Sequence, residues 1–482
     1  MMDIDIIFQK KKILVAGLGV TGIPVIKRLM DLGNRITAFD NNALLDPENI
    51  YSAIGSPLRE DIEIILGESE TLDAGILDDV SLIITSPGIP STNKIFAMAE
   101  KRDIPVWDEL ELSWRLLSDM QRSNIIAVTG TNGKTTVVNL IGEILNDSGI
   151  DNTVCGNVGS PLLNTFKVDT GTNRAGGDST VRVVEVSSFQ LERSYSFRPG
   201  IGILLNITSD HMDRHGSIDK YSRIKMTLFS HQKVSDIAII NIDDRISSLL
   251  TEGIAGLKDG PLLIKYGIEQ EDGPAVWYGG DGIIYYELPS GSGKVNIGGA
   301  LLRGMHNISN SEAAAAAALM MGADPESIGR SIRNFKPLSH RMEYIGEIAG
   351  IRCINDSKST NPDSIIAALR DFSKEVTLIM GGLDKDMDFT PVIPSLDACV
   401  NNIILIGQSA AKMEELFGTS GSYADIYRCS SLEDAVKKGF EITEKGGVLL
   451  LSPGCASMDM FRDYRHRGDS FKKAVVDITN GD

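Results

Sequence analysis

Short runs of apolar, mostly β-branched residues recur along the chain. Each closes on a glycine or a small polar residue before helical spacing takes over. Ile13 to Ala16 runs into Gly17-Leu18-Gly19-Val20-Thr21-Gly22, and Ile125 to Val128 runs through Thr129 into Gly130-Thr131-Asn132-Gly133-Lys134-Thr135-Thr136. Later, Val376 to Met380 meets Gly381-Gly382, Asn402 to Ile406 meets Gly407, and Val448 to Leu451 meets Ser452-Pro453-Gly454. Apolar runs this short, bounded by turn residues and followed by a 3.6-residue period, predict strand, loop and helix in alternation. Such alternation builds parallel sheets covered by helices on both faces.

The pattern restarts near Gln121-Arg122-Ser123 and again around Pro337 to Arg341, which predicts domains over 1–121, 122–336 and 337–482. Within the second, Gly260 to Asn296 changes to Gly/Ser/Pro turns and short alternating segments (Ala275 to Tyr278, Gly282 to Leu288), a small antiparallel β excursion. Other expected elements are a strand over Lys101 to Trp107, a helix over Glu109 to Leu117 and an alanine-rich helix over Ser311 to Met321 stopped by Gly322. The fold expected is α/β in three domains. A Rossmann-like domain comes first, then a central P-loop ATPase-like domain carrying the excursion, then a Rossmann-like C-terminal domain.

The turns carry chemistry. Gly17 to Gly22 is a G-x-G-x-x-G turn between strand and helix, with Asp40 ending the next strand. A pyrophosphate fits that helix start, with Asp40 near a ribose or base. Taken alone the fingerprint favours an NAD-dependent dehydrogenase, and a nucleotide-diphosphate substrate satisfies the same geometry. Ser86-Pro87-Gly88 follows the strand Val80 to Ile84, again at a strand's carboxyl end. In Gly130 to Thr136 the glycines let backbone N–H groups cradle a polyphosphate. Lys134 can reach the terminal phosphates there, and Thr135 can hold Mg²⁺. Val128 stands where the usual loop has a glycine six residues before its lysine, so this is a shortened version of an ATP loop.

Glu185 ends the strand Val181 to Val186, where an acid serves either as a Mg²⁺ ligand or as a capping or salt-bridged group. His211 follows another strand and reads as a metal ligand or a surface residue; His215 and His231 read as surface. Lys225 lies mid-helix, where a solvated lysine is the ordinary expectation. Asn307 and Asn310 stand at a helix start, as N-caps or as amides for a base edge.

Composition narrows the class. The 482 residues carry a net charge of −18, against non-specific nucleic-acid binding, so any polyphosphate site must draw on local cations, helix N-termini and Mg²⁺. Mean hydropathy is −0.01 with no apolar run near bilayer length, and Met1 to Lys12 lacks the layout of a secretory signal. Membrane insertion is not expected. Five scattered cysteines without a Cys-x-x-Cys pair suit a reducing cytoplasm.

Taken together, these motifs resemble the Mur ligases, ATP-dependent amide-forming enzymes of cell-wall peptide synthesis. The resemblance spans nearly the whole chain. It runs through Gly-Thr-Asn-Gly-Lys-Thr at 130–135, Glu-Val-Ser-Ser-Phe-Gln-Leu-Glu at 185–192, Asp-His-Met-Asp-Arg at 210–214 and His-Asn-x-x-Asn at 306–310. It continues in His340-Arg341, Asn-Asp-Ser-Lys-Ser-Thr-Asn at 355–361, Gly-Gly-Leu-Asp-Lys at 381–385 and Ser-Pro-Gly-Cys-Ala-Ser at 452–457. The last two, with Ser-Ser-Phe-Gln-Leu-Glu, are most similar to the branch that adds D-glutamate to UDP-N-acetylmuramoyl-L-alanine.

The resemblance implies that ATP phosphorylates the substrate carboxylate and that the amine then displaces phosphate from the acyl phosphate. It assigns ATP to Gly130, Thr131, Asn132, Gly133, Lys134, Thr135 and Thr136, with Asn307 and Asn310 at adenine and Arg341, Asp356 and Lys358 reaching phosphates or ribose. Thr135, Glu185, His211 and Lys225 would serve two Mg²⁺ ions, with Lys225 carbamylated into an acidic ligand. Lys134, Lys225, His211 and Glu185 would be catalytic. The UDP-linked substrate would meet Gly19, Thr21, Gly22, Asp40, Asn41, Ser86, Pro87, Gly88 and Asn157. The amino acid would meet Thr360, Lys385, Ser457 and Tyr464, the last where phenylalanine is expected. A cytoplasmic monomer whose third domain closes on the second is implied.

Alternatives are a related ligase with another amine or acceptor, including an archaeal pseudomurein-type ligase, an NAD-dependent dehydrogenase, and a non-enzymatic nucleotide-binding regulator. A folylpolyglutamate synthase fits poorly, because such enzymes lack the first G-x-G-x-x-G.

Overall fold

The computed structural model describes residues 10–55, 59–67, 73–90, 92–157, 159–167, 178–208, 210, 212–302, 304–336, 338–370, 372–373, 375–383, 387–419 and 424–480. It has three sheets in two compact units. One unit draws on 1–207, 219–299 and 309–333, the other on 208–218, 300–308 and 334–482.

The first sheet holds β1 (Lys12–Ala16), β2 (Arg35–Asp40), β3 (Ile62–Leu66), β4 (Val80–Thr85) and β5 (Val106–Asp108), all parallel, in the order β3-β2-β1-β4-β5. The order reverses at β1, so the carboxyl ends of β1 and β4 flank a crevice of the kind that takes ligands in open α/β sheets. Gly17 and Ser86 sit there. The strand expected over Lys101 to Trp107 is shorter, because residues 101–104 close the preceding helix. The Ile104 N–H bonds to Ala99 O at 3.0 Å, and Asp103 takes a left-handed φ of 53°.

The second sheet, in the same unit, comprises β6 (Ile125–Thr129), β7 (Asn152–Gly156), β8 (Val181–Glu185), β9 (Ile201–Leu204), β10 (Ile237–Asn241), β11 (Leu262–Gly267), β12 (Ala275–Tyr278), β13 (Ile283–Leu288) and β14 (Gly291–Asn296). Their order is β14-β13-β12-β11-β10-β9-β6-β8-β7. The expected excursion is the antiparallel β12–β13–β14 meander, but β12 joins β11 in parallel, so the meander extends the main sheet rather than standing apart. β6 lies between β8 and β9 with every residue buried, which explains its unbroken apolar sequence.

Buried polar groups join these two sheets. Glu109 Oε1 accepts from the Leu163 N–H at 2.7 Å, Glu111 Oε2 accepts from the Ser196 N–H at 2.9 Å, and Arg28 donates to the carbonyls of Leu163 and Phe166 at 2.9 and 2.8 Å. The segment from Val106 to Leu116 is therefore both the end of one sheet and a seam against the next.

The third sheet, in the other unit, contains β15 (Glu343–Ile348), β16 (Ile351–Asn355), β17 (Val376–Gly381), β18 (Val400–Ile406), β19 (Asp425–Arg428) and β20 (Val448–Leu451), ordered β15-β16-β20-β17-β18-β19. Only β15, joined by a hairpin, runs antiparallel among the described strands. Alternate residues feed two cores. Leu378, Met380, Ile403, Leu405, Val448 and Leu450 face one helical layer, while Ile379, Ile404, Ile406, Leu449 and Leu451 face the other. Among the described residues no helix is long and apolar enough to cross a membrane.

Candidate functional site

At the end of β1 the chain turns through Gly17, whose N–H bonds to Phe39 O at 2.8 Å, and enters the helix Gly22–Asp31. A Cβ on Gly22 would collide with Gly17 O, so only glycine allows the helix to start this close to the turn. Asp40 does more than stand nearby. Its Oδ2 accepts from the Leu18 N–H at 2.7 Å and its Oδ1 from the Asn42 N–H at 2.9 Å, so the carboxylate shapes the turn itself. Ser86 Oγ donates to Gly17 O at 3.1 Å, which brings the two turns together. Thr21, Pro87 and Ser86 are half-buried, and Gly19, Asn41 and Gly88 exposed.

β6 leads into the second loop, and the helix Lys134–Asp147 follows it. Gly133 caps that helix at φ 87°, and a Cβ there would strike Asn310 Oδ1. Asn310 lies inside the helix Met305–Met320, which begins before the expected Ser311, so it is not an N-cap; its buried amide packs on the loop. Lys134 Nζ donates to the carbonyls of Gly130 and Thr131, both at 2.7 Å.

Asn206, at the end of β9 and not singled out from sequence, grips the loop from the side. Its Oδ1 accepts from the Asn132 N–H at 2.8 Å, its Nδ2 donates to Asn132 O at 3.2 Å, and its own carbonyl accepts from the Thr131 N–H at 2.9 Å. The one signal for it was an asparagine at a strand's carboxyl end.

Three of the expected residues meet at Glu185. Its Oε2 accepts from Thr135 Oγ1 at 2.7 Å and its Oε1 from Asn157 Nδ2 at 3.0 Å, with the carboxylate buried at the end of β8. Hydroxyl, carboxylate and amide oxygens at the helix start of a phosphate-type loop are the hard donors that suit Mg²⁺.

Lys225 departs from the ordinary expectation of a solvated lysine. It is 1 % exposed, its Nζ donates to Gly130 O at 2.9 Å, and it lies 4.5 Å from the Tyr221 ring centroid. Tyr221, Ser222 and Lys225 form the buried face of the helix Ile218–Met226, and the Tyr221 hydroxyl lies 3.3 Å from Thr131 Oγ1. His211 lies outside the described residues, and among those described no group of three His, Cys, Asp or Glu gathers. His215, expected at the surface, is 2 % exposed.

In the other unit, Asp356 follows β16. Ser452 Oγ donates to its Oδ2 at 2.9 Å and the Met342 N–H to its Oδ1 at 3.2 Å, while burial pushes the carboxyl up to about 7. Arg341 is held between His340 and Met342, both left-handed at φ 65° and 45°, a strain that packing must enforce. The Lys358 N–H bonds to His340 O at 3.0 Å, and its Nζ stands 3.9 Å over the Tyr464 ring. The Tyr464 hydroxyl, the departure from phenylalanine, accepts from Arg465 Nε at 3.3 Å. Ser457 is buried, Thr360 and Asn307 are half-buried, and Lys385 lies outside the described residues. Asn361 caps the helix Pro362–Leu369, accepting from the Ser364 N–H at 2.8 Å.

A pyrophosphate-type turn, a shortened phosphate loop backed by a buried acid and lysine, and a third α/β sheet define an enzyme class that handles nucleotides in modular α/β parts. Comparison with known proteins narrows it. Residues 11–108 match the profile of the Mur ligase MurD-like N-terminal domain, 128–318 that of the Mur ligase middle domain, and 340–455 that of the Mur ligase glutamate ligase domain. The UDP-N-acetylmuramoylalanine--D-glutamate ligase of Pelotomaculum thermopropionicum is 36% identical over 479 residues, covering 98% of this chain and 99% of that protein. The enzyme of the same name from Caldanaerobacter subterraneus subsp. tengcongensis is 36% identical over 475 residues, with the same coverage.

Among solved structures, a pseudomurein peptide ligase type C from Methanothermus fervidus shares the fold with a TM-score of 0.57 at 18% identity, over 97% of this chain and 100% of that one. MurF from Acinetobacter baumannii does so with 0.58 at 16% identity, over 97% and 94%. The chain belongs to the Mur ligase family.

Proposed function

We propose that this chain is the ATP-dependent, ADP-forming ligase that joins D-glutamate to UDP-N-acetylmuramoyl-L-alanine in the synthesis of peptidoglycan precursors. The observation that carries the reading is the full-length likeness to curated ligases of that name, at 36% identity over 98% of the chain. The meeting of Lys134, Thr135, Glu185, Asn157 and Lys225 around one phosphate-type loop supports it.

Both reacting partners are anions, so the enzyme's work is positioning and charge neutralisation. Lys134, now turned onto the loop carbonyls, swings to the ATP phosphates. The backbone N–H groups of Gly130 to Thr136 cradle them, with Asn307 and Asn310 at the adenine and Arg341, Asp356 and Lys358 at phosphate or ribose. The substrate carboxylate attacks the γ-phosphorus, ADP leaves, and an acyl phosphate forms. The D-glutamate amine then attacks the acyl carbon, losing a proton as phosphate departs. Thr360, Lys385, Ser457 and Tyr464 hold the amino acid, a cation and hydroxyls suiting a dicarboxylate. Gly19, Thr21, Gly22, Asp40, Asn41, Ser86, Pro87 and Gly88 hold the UDP end, and Asn157 its acyl side.

Mg²⁺ supplies charge neutralisation when bound. Thr135 and Glu185 would hold one ion, and His211 with Lys225 a second. Lys225 is buried against the Gly130 carbonyl and the Tyr221 ring, beside the loop whose Thr135 would hold the first ion. Addition of CO₂ to its neutral amine, with loss of a proton, gives a carbamate that suits a cation. The enzyme is read as a cytoplasmic monomer with domains over 1–121, 122–336 and 337–482.

The test is phosphate release from ATP with Mg²⁺ and UDP-N-acetylmuramoyl-L-alanine across D-glutamate, L-glutamate and meso-diaminopimelate. Release with D-glutamate alone is expected. Release with one of the other amines alone overturns the substrate assignment.

A further inference from the structure

The carboxyl end of the third sheet holds a cation outside every motif discussed above. Arg467, in the first turn of the helix Tyr464–Asn480, is 1 % exposed. Its Nε donates to Ser357 Oγ at 3.0 Å, its Nη2 to Ser357 O at 2.8 Å and its Nη1 to Cys455 O at 3.0 Å, all neutral oxygens. Burial lowers its pKa to about 10, with Asp356 and Asp459 opposing, so it stays charged at neutral pH. Taking an ion out of water costs several kcal/mol, offset here by hydrogen bonds to buried oxygens that would otherwise lack this donor. What the guanidinium does is therefore best sought in what it holds.

It holds the loops that carry the amino-acid and phosphate assignments. Ser357 stands between Asp356 and Lys358, three residues before Thr360. Its Oγ also donates to Tyr464 O at 2.8 Å. Cys455 lies two residues before Ser457. Gly382 leads toward Lys385 and comes so close that a Cβ there would stand 3.2 Å from Arg467 Nη1 and collide with Ala456 O. Leu383 N then bonds to Ala456 O at 2.8 Å. The next residue, Gly468, accepts from Asn355 Nδ2 at 3.2 Å through its carbonyl. One helical turn thus bonds the loops after β16 and β20, and the Leu383–Ala456 bond ties the start of the loop after β17 to the latter. A planar fork with fixed N–H directions suits that task better than a lysine.

We propose that Arg467 is a positioning residue for the amino-acid substrate, fixing the loops of Thr360 and Ser457 in one register so that their donors converge on its carboxylates. The inference rests on the ligase reading above. The helix places the guanidinium and the guanidinium places the loops; Arg467 itself touches no reactant.

Steady-state kinetics of the full-length Arg467→Met and Arg467→Lys variants test it, with thermal unfolding as the check on folding. Arg467→Met leaves three bonded oxygens without their donor, so its transition should fall while remaining cooperative. Its KM for D-glutamate should rise tenfold or more, while KM for the UDP-linked substrate stays within twofold. Arg467→Lys, with the charge but not the fork, should show the same split more weakly, and it decides the matter if the methionine variant does not fold. A merely structural arginine would lower the active fraction and leave both KM values alone, and that result overturns the proposal. Parent enzyme that releases no phosphate in response to D-glutamate removes the ligase reading first and this inference with it.

Discussion

Two places in the molecule hold a cation against backbone carbonyls, and they differ in how they are built. At the phosphate loop, Lys134 and Lys225 both donate to Gly130 O, and the glycines that shape the turn stand within seven consecutive residues, though Asn206 grips it from afar. At the third sheet's carboxyl end, Arg467 donates to Ser357 and Cys455, 110 and 12 residues away. On the ligase reading, the first is a device that accepts a ligand. The second is a long-range device that keeps other residues in place. Substitutions at the first should therefore strike turnover, and at the second the recognition of one substrate.

The sharpest break comes at Gly133. Gly133→Ala places a methyl against Asn310 Oδ1 at a φ of 87°, distorting the loop and the helix start together. A loss of about a thousandfold in kcat/KM, about 4 kcal/mol, is expected. Near-parental steady-state activity would show that the loop can re-form without its left-handed residue.

Next comes Lys225→Ala. Turnover should fall about a hundredfold or more, and short carboxylates added to the assay should partly restore it by standing in for the lost acid. Parental activity would return Lys225 to the role of an ordinary buried lysine. Asp40→Asn probes the first turn. Replacing the acceptor of the Leu18 and Asn42 amides should raise KM for the UDP-linked substrate about tenfold, roughly 1.4 kcal/mol. KM for ATP should hold steady, and a change in ATP binding alone would misplace the UDP end.

The smallest effect concerns stability. Glu312 is 1 % exposed within the helix Met305–Met320, and burial with Asp243 nearby pushes its carboxyl up to about 9. An acid whose folded pKa is raised binds its proton in the folded state and loses it in the unfolded one. Its favourable contribution is complete below the unfolded value near 4.5 and disappears as pH climbs toward 9. Glu312→Gln should raise stability at pH 8 by about 1–3 kcal/mol and flatten the fall between pH 5 and pH 9, read from urea midpoints. An unchanged slope would mean that other groups set the pH dependence.

The same contrast explains what could be read from sequence. Strand–turn–helix units announce themselves locally, so β1, β6, β17 and β20 and both phosphate-type turns were legible from apolar runs and glycines. Lys225 was not, because a helix period cannot say which face of Ile218–Met226 is covered; Tyr221, Ser222 and Lys225 share the buried one. His215 misled for the same reason. Asn206 and Arg467 act through partners far away in the chain; a strand's carboxyl end was the one signal for Asn206, and Arg467 had none. The strand expected over Lys101 to Trp107 is shorter because residues 101–104 close a helix, with Asp103 in a left-handed conformation that the run Ile104 to Trp107 does not announce.

The most direct measurement is phosphate release by purified protein given ATP, Mg²⁺ and UDP-N-acetylmuramoyl-L-alanine, with and without D-glutamate. Release that depends on D-glutamate and vanishes in Lys134→Ala is the predicted result. Release that ignores the amino acid, or that persists without Lys134, would contradict the account.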